Sequence, residues 1–201
     1  MRVNRGQFLR LGLAGAATAA GAGLVARPAG AALPVPAPAG DDVGYLSFGA
    51  VAEQTSRAWY RRALTVHGFS AGERRRLTAG AAAKASHLQR INAVLGADAI
   101  QPGDFAAAFR ASSFASPARA AALGAEIENL LVGVYLTGAA FATDSATRLL
   151  LGRLLAFDAQ QLAWIRGLTG GLPAAGLAVP HTLEQAGAAL DRLVTTPNFA
   201  G

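Results

Sequence analysis

The chain has 201 residues, of which 52% are apolar and 15% charged, which suits one domain with a sizeable core and excludes a globally disordered chain. It has no cysteine, so disulfides, thiolate catalysis, zinc–cysteine sites and a lipidated cysteine anchor are excluded. The net charge of +6 does not point to nucleic acid: of 18 cations, Arg2, Arg5, Arg10 and Arg27 precede residue 32, and the remaining 14 face 12 anions.

Residues 1–31 read as a signal peptide, with a basic head (Arg2, Arg5, Arg10), a weakly apolar stretch from Leu11 to Ala26 and a small-residue site at Ala29-Gly30-Ala31. The expectation is an exported, extracytoplasmic protein whose mature chain starts near Ala32. The head, Asn4 to Arg10, resembles a twin-arginine signal with Gly6 in place of the second arginine, so the folded-protein exporter and the general exporter are both open routes. An uncleaved membrane anchor is the weaker alternative, because about 16 residues rich in Gly and Ala fall short of the roughly 20 a span needs. Membrane contact is expected only if this segment is retained. Residues 32–41 form a Pro-rich linker on which no packed structure is imposed.

Two pairs of long helical patterns follow. The first helix is expected from about Asp42 to His67, capped by Asp41 or Asp42 and stopped by Gly68. Ser70 with Glu73 makes a capping box for the second, which runs to Leu95 and stops at Gly96. The stretch 97–115, with Pro102, Gly103 and several Phe residues, holds at most a short helix near Asp104 to Arg110. Ser116-Pro117 opens the third helix, which reaches about Thr143, and Asp144 caps the fourth, which ends at Gly170-Gly171. Residues 171–201 then carry a Pro/Gly loop and a short amphipathic helix from about Thr182 to Val194. Two antiparallel pairs joined by one long connection give an all-α four-helix bundle over residues 42–170 with a single crossover.

The two pairs repeat each other. Glu53 is followed seven residues later by Tyr60, and Glu128 seven residues later by Tyr135, which puts each Glu and Tyr on one helix face. Farther along stand Lys84-Ala-Ser-His87 and Asp158-Ala-Gln-Gln161, each ending at a glycine nine residues on, Gly96 and Gly170. This pattern resembles the ferritin-like superfamily, and within it the exported ferritin-like and desiccation-related proteins. The resemblance implies a Glu from the first and third helices and a Glu-x-x-His pair from the second and fourth, closing six donors around two metal ions. Carried over, Glu53 and Glu128 match the single glutamates and His87 the first histidine. Asp158 is a shortened carboxylate, Lys84 stands where a glutamate belongs, and Gln161 replaces the second histidine.

Lys84 is the only lysine, mid-helix in an Ala-rich run. An ammonium cannot ligate a metal until it loses a proton, and it brings positive charge to the place of a dication. The leading reading is that Lys84 substitutes for the metal and neutralises Glu53, Glu128 and Asp158, since buried charge is tolerated only when paired. Solvent exposure and a catalytic lysine are the alternatives. His87 is either a surviving ligand or a hydrogen-bonded interior histidine. Tyr60 and Tyr135 either bond to the carboxylates or simply pack. Glu126 is expected on a solvated face, Trp59 and Trp164 in the core or at its rim, and Arg74-Arg75-Arg76 on a solvated face rather than a phosphate site. His67 and His181 are given no role.

The sequence thus points to an exported ferritin-like domain with a degenerate di-metal site and no cofactor, acting non-catalytically in a structural, protective or partner-binding role. The rival is an iron- or manganese-binding protein with redox or storage activity on Glu53, His87, Glu128 and Asp158. Nucleic acid is not an expected partner. A homo-oligomer is compatible with the fold.

Overall fold

A computed structural model of the protein describes residues 42–101, 107–173 and 178–194. The signal peptide and the linker expected over residues 1–41 lie outside these. Among the described residues are five α-helices: α1 (Asp42–Ala63), α2 (Ala71–Leu95), α3 (Pro117–Phe141), α4 (Ser145–Leu168) and α5 (Leu183–Leu193).

Helix direction follows from which residues meet. Tyr60 packs on Gly80 and Ile91 on Gly49, so α1 and α2 run antiparallel. Tyr135 packs on Gly49, and Trp59 on Gly124, so α1 and α3 are antiparallel too. Arg166 of α4 bonds Asn129 of α3, and Leu151 packs on Gly138, which sets α4 antiparallel to α3. Helices α2 and α3 therefore point the same way, and the chain must return along the bundle between them. A 25-residue helix is about 37 Å long, slightly more than the roughly 31 Å that the 21 residues 96–116 would span as one continuous helix. Residues 107–110 are not helical, so this part of the short helix expected near Asp104–Arg110 does not form, and a 3₁₀ turn occupies Ala111–Phe114 instead. Asn92 clamps the start of the crossover by bonding both the N–H and the C=O of Ile100.

The helix ends show their local chemistry. Ser70 and Glu73 form the expected capping box, Thr182 and Gln185 form a second, and Ser116 and Asp144 cap α3 and α4. Helix α1 stops at Ala63 rather than His67. Tight turns close onto the Arg62 and Ala63 carbonyls, Arg74 takes the Leu64 and Val66 carbonyls, and Gly68 reverses the chain at φ +102°. Helix α3 ends two residues short of Thr143 for a related reason. Asp42 lies inside the first turn of α1, where its carboxylate accepts the N–H groups of Thr143 and Asp144, each at 2.7 Å. The expected cap of one helix thus ties down the α3–α4 link at the same end of the bundle.

The core is built from α1 and α3. Helix α3 is long and apolar enough to span a bilayer by length and composition, but 72% of its most apolar stretch is buried by its neighbours. Helix α5 contributes Leu183, Ala186 and Leu190 to the same core. Its approach requires Gly133, where any side chain would collide with His181 and the Val179 carbonyl.

Candidate functional site

The polar residues of the repeat meet midway along the bundle, inside it. Glu53, Lys84, Glu128 and Asp158 are each 0% exposed, and His87 is 9% exposed. Each sits on the inward stripe of its own helix: Glu53, Ser56 and Tyr60 on α1, Lys84 and His87 on α2, Glu128 and Tyr135 on α3, Asp158 and Gln161 on α4. Lys84 Nζ lies 2.6 Å from Asp158 Oδ1, 2.9 Å from Glu128 Oε2 and 3.3 Å from Glu53 Oε2. The ammonium thus touches one carboxylate from each of the other three helices.

The remaining oxygens are held unevenly. Glu53 Oε1 accepts the Tyr135 hydroxyl at 2.9 Å and lies 3.1 Å from His87 Nδ1. Glu128 Oε1 accepts the Ser56 hydroxyl at 2.6 Å. Asp158 Oδ2 is buried with no hydrogen-bond partner, and Glu53 Oε2 has only the charge of Lys84 beside it. His87 packs edge-on against Phe157 and, unlike Glu53, Lys84, Glu128 and Asp158, is slightly exposed. Tyr60 does not reach a carboxylate; its hydroxyl donates to Gln161 Oε1 at 3.3 Å.

Proton affinities follow from this crowding. Burial alone would depress the Lys84 ammonium, but Asp158, Glu128 and Glu53 together outweigh it and hold the group well above the ordinary lysine range. Burial pushes Asp158 up, and although Lys84 opposes this, Glu53 and Glu128 keep the acid well above the usual carboxylate range. Glu128 is also raised, with burial the largest cause, against Lys84 and the Ser56 bond. Glu53 goes the other way: burial is offset by Lys84, His87 and the Tyr135 hydroxyl, leaving it below its ordinary value. Tyr135 and Tyr60 are pushed up, by burial first and then by the surrounding carboxylates, so both stay neutral donors.

Ser56 was not singled out from the sequence. Its signal was its place three residues after Glu53 and four before Tyr60, on the same face of α1. Trp59 lies in the core and donates its indole N–H to the Ala120 carbonyl at 2.8 Å, whereas Trp164 is at the rim under Arg76. Glu126 is exposed, as its offset from Glu128 implies. In the arginine run, Arg75 and Arg76 are solvated, but Arg74 is half-buried and caps the end of α1.

Residues 41–171 match the family model of the ferritin-like domain. The chain belongs to the ferritin-like domain family. No curated protein and no solved structure gives a significant match. Within this ferritin-like domain, atoms of Glu53, His87 and Asp158 come within 4.8 Å of one another and so offer three donors to a single ion. Lys84 and Gln161 stand at the other two sequence-altered positions, one against the carboxylates and the other against Tyr60.

Proposed function

We propose that this is an exported, non-catalytic ferritin-like domain in which Lys84 takes the place of the metal as the internal cation. Its role is structural, protective or partner-binding. The observation that carries the reading is the ammonium at 2.6, 2.9 and 3.3 Å from three buried carboxylates. A two-metal centre does not suit this donor set. One oxygen of each carboxylate is already turned to Lys84, and Gln161 supplies no imidazole. Three buried carboxylates demand positive charge, and a lysine of the chain supplies it without import of an ion.

A second reading rests on the Glu53–His87–Asp158 triad together with the partnerless Asp158 Oδ2. These atoms can hold one iron or manganese ion beside Lys84. Such an ion would supply redox chemistry toward oxygen or peroxide.

Elemental analysis of the protein purified from its native envelope fraction distinguishes the two. The first reading expects well under one transition-metal ion per chain after mild chelation. Retention of about one ion supports the triad, and retention of about two overturns the lysine-for-metal reading. Mass spectrometry of the same sample tests export: a mature N-terminus near Ala32 supports it, and an intact Met1 or Arg2 counts against it.

A further inference from the structure

While Arg90, Arg148 and Arg153 are exposed toward one end of the bundle, six exposed arginines gather at the other. That end is formed by the C-termini of α1 and α4 and the N-termini of α2 and α3: Gly68 abuts Pro117, Arg62 lies over Phe114, and Arg76 lies over Trp164. Arg61, Arg62, Arg75, Arg76, Arg110 and Arg119 are all exposed there. Within two turns of this end the described residues hold a single carboxylate, Glu73, and Ser70 N–H occupies it at 2.6 Å. The ion pairs around Lys84 and His87 lie instead in the buried cluster. Six arginines against one carboxylate leave this end with an excess of positive charge.

Two apolar groups accompany them. Leu172 is 75% exposed just beyond α4, where Gly171 N–H bonds back to the Arg166 carbonyl. Trp164 is half-exposed and lines an open cleft with Ser70, Arg75 and Arg76. The opposite end also exposes Val43, Val94 and Leu149, but there Arg90, Arg148 and Arg153 are matched in number by Asp42, Asp98 and Asp144, which leaves no excess of positive charge for an anionic surface.

We propose that the arginine-rich end docks on a bilayer of anionic phospholipids, with the arginines on the headgroups and Leu172 and Trp164 at the interface. The pairing of dispersed arginines with an exposed Leu and a rim Trp favours a lipid surface, since a soluble polyanion has no use for the apolar groups. The arginines project from the ends of three helices and from the crossover, so they form a face rather than a groove that could track a strand.

The test is co-sedimentation of the full chain with vesicles of equal parts phosphatidylglycerol and phosphatidylcholine, against phosphatidylcholine alone. All arms carry the same N-terminal segment, so its contribution cancels in the comparison of variants. Wild-type protein is expected to partition more strongly onto the anionic vesicles and to be released between about 0.1 M and about 1 M salt. Arg75→Ser with Arg76→Ser should weaken partition about 20-fold, at roughly fivefold per arginine. Leu172→Asp, which removes no cation, should weaken it further. Equal binding to both vesicle types, or variants that bind like wild type while keeping their helical circular dichroism, overturns the proposal. Arginine-dependent binding to heparin with no binding to anionic vesicles also overturns it, in favour of a soluble polyanion. Should the double variant lose helicity, Arg119→Ser and Leu172→Asp decide the matter by the same criteria. A metal found or not found at Lys84 leaves this result unaffected.

Discussion

Lys84 Nζ lies 2.6 Å from Asp158 Oδ1, yet Asp158 remains well above the usual carboxylate range. Proximity to a cation does not settle the balance because Glu53 and Glu128 share the same ammonium and Asp158 is fully buried. One cation facing three carboxylates leaves the cluster short of positive charge. A retained proton would make up the difference, and Asp158 is where burial and neighbouring charge favour it most. The pair is thus the centre of a site built to stay near neutrality in a dry interior.

Removing the cation should be costly. Lys84→Ala leaves Glu53, Glu128 and Asp158 buried without their common partner, and breaking a buried pair costs about 3–5 kcal/mol. Lys84→Met keeps most of the volume and should lose nearly as much, because the penalty is charge rather than packing. Urea denaturation of both variants near neutral pH checks this. A loss below about 1 kcal/mol for each would mean the carboxylates manage without the lysine.

The dependence of stability on pH has a sign that can be worked out group by group. Glu53 is lower in the fold than its ordinary 4.5, so its contribution is present above 4.5 and is lost as pH falls through the folded value. Asp158 is higher than its ordinary 3.8, so its contribution is present below 3.8 and is lost as pH rises through the folded value. Lys84 is higher than its ordinary 10.5, so its contribution is full below 10.5 and lost only at more alkaline pH. Above the ordinary carboxylate range, stability should therefore fall with rising pH until Asp158 loses its proton in the fold, by up to about 1.4 kcal/mol per unit for one retained proton. Asp158→Asn should flatten that slope. A wild-type profile rising over the same range would contradict the retained proton.

Packing around α1 makes a separate prediction. A Cβ at Gly124 would overlap the Trp59 indole, which cannot step aside while its N–H holds the Ala120 carbonyl. A Cβ at Gly80 would overlap the Tyr60 ring in the same way. Gly124→Ala and Gly80→Ala should each cost about 1–3 kcal/mol, despite the better helix propensity of Ala. Gly152→Ala, with open space around the site, should be neutral or stabilising. Thermal melts of the three variants test the contrast.

Much of this was legible in the residue pattern. Caps at Ser70, Ser116, Asp144 and Thr182 are local chemistry, and they bracket the helices to within a few residues. The repeat of Glu53 with Tyr60 and Glu128 with Tyr135 marks the inward face of α1 and α3, because a two-turn spacing holds a side-chain pair on one stripe. Other features depend on neighbours distant in sequence. Asp42 reads as a cap, but its oxygens are drawn to the α3–α4 link, which nothing near residue 42 announces. Tyr60 and Tyr135 occupy equivalent places in the repeat, yet only Tyr135 reaches Glu53, because the partner opposite Tyr60 is Gln161. The gathering of arginines from three helix ends and the crossover is likewise a product of topology and is invisible in any one segment.

The sharpest test rebuilds what the repeat implies is missing. Lys84→Glu combined with Gln161→His would place Glu53, Glu128, Asp158 and a new carboxylate opposite His87 and a second imidazole. The new histidine would stand three residues after Asp158 on α4, and the new glutamate three before His87 on α2, so both face the positions their predecessors face now. Without an ion the double variant should be less stable than wild type, since four buried carboxylates would have no lysine among them. With iron or manganese present at about 100 times its dissociation constant, binding should return about 2.7 kcal/mol and raise the melting temperature. Gln161→His alone should gain little, because Lys84 still fills the centre. Metal content after gel filtration, and melting curves with and without chelator, read the outcome directly. A double variant that stays folded but takes up no more metal than wild type would show that the ligand positions are wrongly assigned, and with them the view that Lys84 stands in for an ion.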